Sequence, residues 1–268
     1  MDFRFFIISI IFVSVFVGTA YAQSVFVHDT FTQEEIDEMK KKAVLITLND
    51  AAFMIELFPE DAPNHVYRFL DLAESGYYDG VIFHRILPGF VIQAGDPHTK
   101  DPNMDQSLWG TGGPGYEIQA EFNTIQHDRG IVSMARGQHD DSAGSQFFIM
   151  HKDTPFLDGK YSAFGRLVPG THSLDALDYV ASLETDDRDV PLDVSAATIQ
   201  KVEVIYPYTS VFDAPERNQS IIIDQPLRQS QGGGVTQIYE NQLHDVKFNV
   251  PYRWEVIEGD GANLNLII

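Results

Sequence analysis

Between Ala43 and Tyr206 the chain is a succession of short apolar runs cut apart by clusters of Gly, Pro, Asn and Asp. Runs of this kind read as strands. Ala43 to Leu48 and Ala52 to Leu57 flank Asn49-Asp50, which reads as a hairpin turn. Further strand-like runs cover Val81 to Arg85, Phe90 to Ala94, Gly130 to Ala135, Gln146 to Met150, Ala163 to Val168 and Ile199 to Tyr206. Only two stretches of this region have helical spacing. Val66, Phe69, Leu70 and Ala73 share one face of a helix over Asn64 to Ala73, which Gly76 would stop. Leu174, Leu177 and Val180 share a face over Ser173 to Leu183. Many strands, two helices and no alternation of strand and helix predict a mainly β fold, a closed barrel with the helices over its open ends.

The flanks read differently. Met1-Asp2-Phe3-Arg4, an apolar run from Phe5 to Val17 and Gly18-Thr19-Ala20-Tyr21-Ala22 have the three parts of an export signal. Residues 1–22 are therefore read as a signal peptide, with Gln23 first in the mature chain. The alternative is retention as a membrane anchor, for which Phe5 to Ala22 is marginally long enough. Residues 23–42 form a polar linker or short helix, since Thr32 and Glu35 have the spacing of a capping box. Residues 43–208 make the main domain. Residues 209–268 form an extension with no assigned role. It is polar except for Ile221-Ile222-Ile223, breaks at Gly232-Gly233-Gly234, and reads as strands again from Val246 to Ile268.

Charge and cysteine usage exclude several function classes. Eighteen basic against 39 acidic residues give a formal net charge of -21, which repels phosphate backbones and argues against nucleic acid as a partner. There are no cysteines, so disulfides, zinc-thiolate sites and thiol catalysis are excluded. His84, His98, His127, His139 and His151 fall in no metal-ligand motif and read as structural or surface residues. Asp186-Asp187-Arg188-Asp189 and His139-Asp140-Asp141 read as solvated loops in preference to calcium sites. Gly110-Thr111-Gly112-Gly113-Pro114-Gly115 lacks the Lys-Ser/Thr of a phosphate loop and reads as a turn. Asn218-Gln219-Ser220 is a glycosylation sequon, meaningful only where the host glycosylates exported proteins.

Chemistry concentrates in a stretch from Phe83 to Asp96, FHRILPGFVIQAGD, which reads as two short strands around a Pro-Gly turn. Arg85 and Gln93 are its polar residues among apolar ones, and taken alone they read as a surface arginine and a structural amide. Four further blocks follow in order: GTGGPGYEIQAEF, GIVSMARG, SAGSQFFI and FLDGKYSAFG. Together these five blocks closely resemble the cyclophilin family of peptidyl-prolyl cis/trans isomerases, over roughly Ala43 to Tyr206. The GTGGPGY form is similar to the prokaryotic branch.

The resemblance implies an eight-stranded antiparallel barrel capped by two helices, and isomerisation of X-Pro bonds in polypeptides without a cofactor or metal. It assigns catalysis to Arg85, Gln93 and Phe148. Arg85 would face the prolyl nitrogen, and Gln93 would bond the substrate backbone or hold Arg85. Phe90, Val91, Phe148, Leu157 and Tyr161 would grip the proline ring. Ala135, Arg136 and Gln146 would line the adjoining groove, with backbone groups of Ala135 and Arg136 pairing an extended peptide. Phe156 is also expected at the substrate site, where many eukaryotic members have Trp. Val91 stands for their Met, and Tyr161 for a common His. The loop Pro97 to Trp109 looks longer than usual. The expectation is an extracytoplasmic monomer that assists the folding of exported polypeptides. A proline-binding module without turnover is the alternative.

Overall fold

The structure is a computed structural model that describes Phe26–Val27, residues 29–210 and four later strands. The expected signal segment, the sequon at Asn218, Ile221-Ile222-Ile223 and the triple glycine at Gly232 lie outside the described residues. In chain order the elements are β1 (Phe26–Val27), α1 (Gln33–Lys40), β2 (Ala43–Thr47), β3 (Ala52–Leu57), α2 (Pro63–Glu74), β4 (Arg85–Leu87) and β5 (Val91–Ala94). There follow β6 (Glu117–Ile118), β7 (Ile131–Met134), β8 (Phe147–Met150), β9 (Ala163–Leu167), α3 (Ser173–Ala181) and β10 (Lys201–Ile205). Beyond these, β11 (Thr236–Asn241) pairs with β12 (Val246–Pro251), and β13 (Glu255–Glu258) with β14 (Leu264–Ile267).

Local sequence explains the elements that matter. β2 and β3 pair antiparallel with Thr47 opposite Ala52, so the Asn49-Asp50 hairpin is present. α2 begins on Pro63, whose missing N–H costs nothing at a helix start. It ends in a Schellman turn. Gly76 takes φ +72°, its N–H reaches the Ala73 carbonyl at 3.0 Å, and that of Tyr77 reaches Leu72 at 2.9 Å. α1 is closed by the expected capping box, in which the Glu35 amide donates to Thr32 Oγ1 and the Thr32 amide to Glu35 Oε2. The segment before the barrel is therefore a docked arm. The Asp29 amide donates to Asn64 Oδ1 at 2.6 Å, Phe31 packs on Tyr67 with ring centroids 5.3 Å apart, and Lys42 pairs with Glu74 at 2.8 Å.

β10-β2-β3-β9-β7-β8-β5-β4 form one eight-stranded antiparallel sheet that curls around the core. The closed barrel expected from the sequence is not formed: the sheet is an open half-barrel. Its edge strands, β4 and β10, do not pair with each other. Val81 to Phe83, apolar enough to read as strand, runs outside the ladder instead. It meets residues 197–199 through a single bridge, Ile82 to Thr198, and two backbone bonds. β4 then begins only at Arg85, where the Ile86 amide donates to the Asp189 carbonyl at 2.8 Å. A loop thus occupies the edge that closure would need.

α2 packs on β9 and β10, and α3 on β3, β4 and β5. Inside the curl, Phe69 of α2 meets Phe164, Tyr78 and Phe147 at centroid distances of 5.0, 5.2 and 5.3 Å. All four rings are fully buried, each such burial stabilising the fold by about 1.5–3 kcal/mol. Among the described residues no helix is long and apolar enough to cross a membrane.

Candidate active site

Pro88-Gly89 turns the chain between β4 and β5, with Gly89 at φ +79°. The resulting register sets Arg85 opposite Gln93, and Ile86 opposite Ile92. Ile86 and Ile92 are fully buried in the core, so Arg85 and Gln93 stand on the outer face of the sheet. The next ladder places Gln93 opposite Phe148, and the one after that Phe148 opposite Ser133. Arg85, Gln93 and Phe148 therefore form one row across three neighbouring strands. Residues 8 and 55 positions apart in sequence meet because antiparallel register forces them to.

Around this row the outer face carries its own apolar cluster, separated from the main core by the sheet. Val91, Phe148, Met150 and Leu157 are buried there, with Phe90, Ala135 and Tyr161 packed against them. The Phe148 ring is 5% exposed and meets Tyr161 edge-on at 5.6 Å. These side chains surround a pocket of about 160 Å³ lined by Arg85, Phe90, Val91, Gln93, Ala135, Arg136, Phe148, Leu157 and Tyr161. One residue expected to line the site, Phe156, does not. Phe156 is 64% exposed at the rim, stacked on Phe90 at 5.9 Å, and does not line the pocket. Gln146 lines a neighbouring groove of about 670 Å³, where its amide donates to the Gly112 carbonyl at 2.8 Å.

The polar groups are held in ways the sequence did not reveal. Gln93 donates to Gln146 Oε1 at 2.9 Å, and Arg85 is instead faced by Asp189, Nε to Oδ2 at 3.7 Å. Asp189 is the only non-glycine with positive φ among the described residues, at +65°. The carboxylate of Asp186 fixes that loop by accepting from the amides of Arg188 and Val190 at 2.8 and 3.0 Å. The Ala135 N–H already donates to the Gln146 carbonyl at 2.8 Å, which leaves only its carbonyl for an extended peptide. In the loop read as a turn, the amides of Gly110 and Gly112 point at the buried carboxylate of Asp96. A Cβ on Gly112 would fall 2.1 Å from Asp96 Oδ1, so the glycine is required there. Asp140 pairs with Arg136 at 3.3 Å, and Asp141 accepts from the Ala120 amide at 2.8 Å.

Behind Phe148 lies His127, its ring 6.2 Å away and nearly parallel, between Asp158 at 3.1 Å and Ser133 Oγ at 3.1 Å. Burial pushes the pKa of His127 down, with Asp158 opposing. Burial also lowers His84, with Asp96 and the Ile82 backbone opposing. A histidine with a folded pKa below its unfolded value makes the unfolded chain bind more protons, so stability rises with pH. Their contribution is complete above the ordinary histidine value near 6.5 and is lost as pH falls below it. The thermal midpoint is expected to drop between pH 7 and pH 5, before the carboxylates titrate. A midpoint flat over that interval would contradict the buried neutral histidines.

Residues 43–204 match the family model of the cyclophilin type peptidyl-prolyl cis-trans isomerase/CLD. The chain belongs to the cyclophilin family. It is 39% identical over 163 residues to a "Probable peptidyl-prolyl cis-trans isomerase" of Brucella suis, covering 60% of this chain and 83% of that one. It is 46% identical over 117 residues to peptidyl-prolyl cis-trans isomerase B of Bacillus subtilis, covering 43% and 75%. A Cryptosporidium parvum cyclophilin type isomerase, crystallised in the presence of the dipeptide Ala-Pro, superposes with a TM-score of 0.52. That pair is 33% identical and covers 60% of this chain and 96% of the other. This cyclophilin is an enzyme, a peptidyl-prolyl cis-trans isomerase.

Proposed function

We propose that this cyclophilin isomerises X-Pro bonds of exported polypeptides outside the cytoplasm and thereby assists their folding, using Arg85 as its electrostatic catalyst. The observation that carries the reading is the cross-strand row of Arg85, Gln93 and Phe148 at the mouth of an apolar pocket. Rotation about a peptide bond meets a barrier of about 18–20 kcal/mol because the nitrogen lone pair is delocalised into the carbonyl. The isomers of an X-Pro bond differ by only about 0.5–1 kcal/mol, so the enzyme has only the twisted state to stabilise. In that state the nitrogen is pyramidal and regains its lone pair.

A proline ring seated on Phe148, Val91 and Leu157 would hold one side of the bond, and Gln93 would bond the substrate backbone. The Arg85 guanidinium would then meet the lone pair where it forms, as a preorganised donor. No nucleophile or acid-base pair enters the step. Asp189 would orient Arg85 through Nε. Asp189→Asn keeps a residue tolerant of positive φ but removes the charge. It is expected to lower kcat about three- to tenfold with KM unchanged, as for loss of one orienting ion pair. An unchanged kcat would remove Asp189 from the mechanism.

The exported setting rests on the sequence of residues 1–22. Two measurements test it together. Mass spectrometry of the native protein should find Gln23 at its N-terminus, in an extracytoplasmic fraction. Addition of that protein should accelerate the proline-limited phase of refolding of an unfolded polypeptide, which otherwise takes tens of seconds or longer. Recovery of the uncleaved chain from the cytoplasm would reject the localisation, and an unaltered slow phase would reject the folding role.

A further inference from the structure

The proline pocket and the 670 Å³ groove share Gln93, Ala135 and Arg136. Given the reading of the pocket just proposed, on which this inference rests, a bound chain lays a side chain near its proline in the groove. Most of the groove wall is made by uncharged residues of the loops Gly110 to Gly115 and Gly137 to Gln146, whose Asp140 and Asp141 do not line it. Besides Tyr116, three ionisable residues line it: His98, Arg136 and Glu117.

Two of these are already engaged. Arg136 donates from Nε and Nη2 to the Lys160 carbonyl at 3.3 Å and from Nη1 to that of Gly137 at 3.2 Å. Its Nη2 also lies 3.3 Å from Asp140, and its plane covers the Tyr161 ring at 4.8 Å. The Nδ1 of His98 faces Thr111 Oγ1 at 3.4 Å and Asp96 at 3.8 Å. The Glu117 side chain makes no hydrogen bond or ion pair with any described residue.

The backbone beneath Glu117 is fixed. Ile118 is fully buried in the core, so strand alternation turns Glu117 away from the core, toward the groove. On one side β6 pairs in parallel with β1, Phe26 opposite Glu117. On the other, the Ile118 amide donates to the Ala143 carbonyl at 2.7 Å. The β1 clamp comes from the docked arm, outside the 43–204 segment that matches the family model. The clamped strand fixes where the Glu117 side chain starts, so only its own torsions remain to be ordered when a cation arrives.

We propose that Glu117 is a specificity residue, selecting substrates with a lysine or arginine side chain close to the proline. The net charge of -21 draws basic polypeptides toward the whole surface, whereas Glu117 would read one position.

The test is a set of peptides built on one Ala-Pro pair, with a single Lys, norleucine or Glu at each of three positions on either side. At one position Lys is expected to exceed norleucine in kcat/KM by about three- to tenfold, and Glu to fall below it, the size of one partly screened ion pair. Added salt should shrink the difference. Glu117→Gln should abolish the Lys advantage at that position, and Glu117→Lys should reverse the order of Lys and Glu. Equal turnover of the three peptides at every position by the unmutated protein would overturn the proposal. So would a Lys advantage that survives in Glu117→Gln, which would belong to the net charge instead. Absence of turnover of the norleucine peptides would remove the reading of the pocket itself, and the proposal with it.

Discussion

Arg85→Ala is expected to lower kcat by about 10²–10³, the usual loss when one preorganised transition-state donor is removed. KM should change little, because the pocket that holds the proline ring is made by Val91, Phe148, Leu157 and Tyr161 and stays intact. Stability should also change little. The Arg85 side chain is 42% exposed, and its ion pair with Asp189 spans 3.7 Å near the surface. Arg85→Lys should recover only part of the rate, since a flexible ammonium lacks the planar donor array of a guanidinium. Steady-state kinetics on an Ala-Pro peptide checks both variants. A loss confined to KM would mean that Arg85 binds the ground state and does not act on the twisted bond.

The second large effect is on stability. Gly95 follows β5 directly and takes φ +97°. A Cβ there would meet the Ser145 carbonyl oxygen at 2.2 Å and Gln146 Cα at 2.7 Å, both backbone atoms that cannot swing aside. The Gly95 carbonyl also accepts from Ser145 Oγ at 2.7 Å, and the Ser145 carbonyl accepts from the buried Tyr78 hydroxyl at 3.1 Å. Gly95→Ala therefore combines a backbone clash with a forbidden φ, and should destabilise the fold by about 3–5 kcal/mol. Because Gln146 adjoins the clash and holds Gln93, the surviving folded fraction should also lose activity. Urea unfolding measures the first effect. A midpoint change equivalent to less than about 1 kcal/mol would contradict the close approach of β5 and β8.

Much of this was legible in the residues, and the exceptions have physical causes. The β2–β3 hairpin, α2 with its Gly76 stop and the Thr32–Glu35 cap are set by local pattern, and all three formed. The position of Arg85 opposite Gln93 follows from the Pro88-Gly89 turn, which fixes hairpin register. Closure of the barrel was not legible. Val81 to Phe83 has a strand's composition, yet its neighbours at 197–199 lie in an irregular loop, and edge pairing leaves no mark in sequence. Asp189 was hidden among the acids of a loop read as solvated, because its left-handed backbone is imposed by the Asp186 carboxylate. Phe156 occupies a family position, but its exposure depends on how a short 3-10 turn at Pro155–Leu157 presents it. The two-residue β1–β6 pairing carries no periodicity at all.

The most direct test of the central claim is exchange spectroscopy by NMR on a short Ala-Pro peptide with the protein. The uncatalysed bond interconverts over tens to hundreds of seconds. Catalytic amounts of the protein should produce cis/trans exchange cross-peaks within a mixing time of about a second or less, far faster than that uncatalysed rate. Peptide shifts that report binding, with no exchange cross-peaks at any protein concentration, would show a proline pocket without catalysis and contradict the role given to Arg85, Gln93 and Phe148.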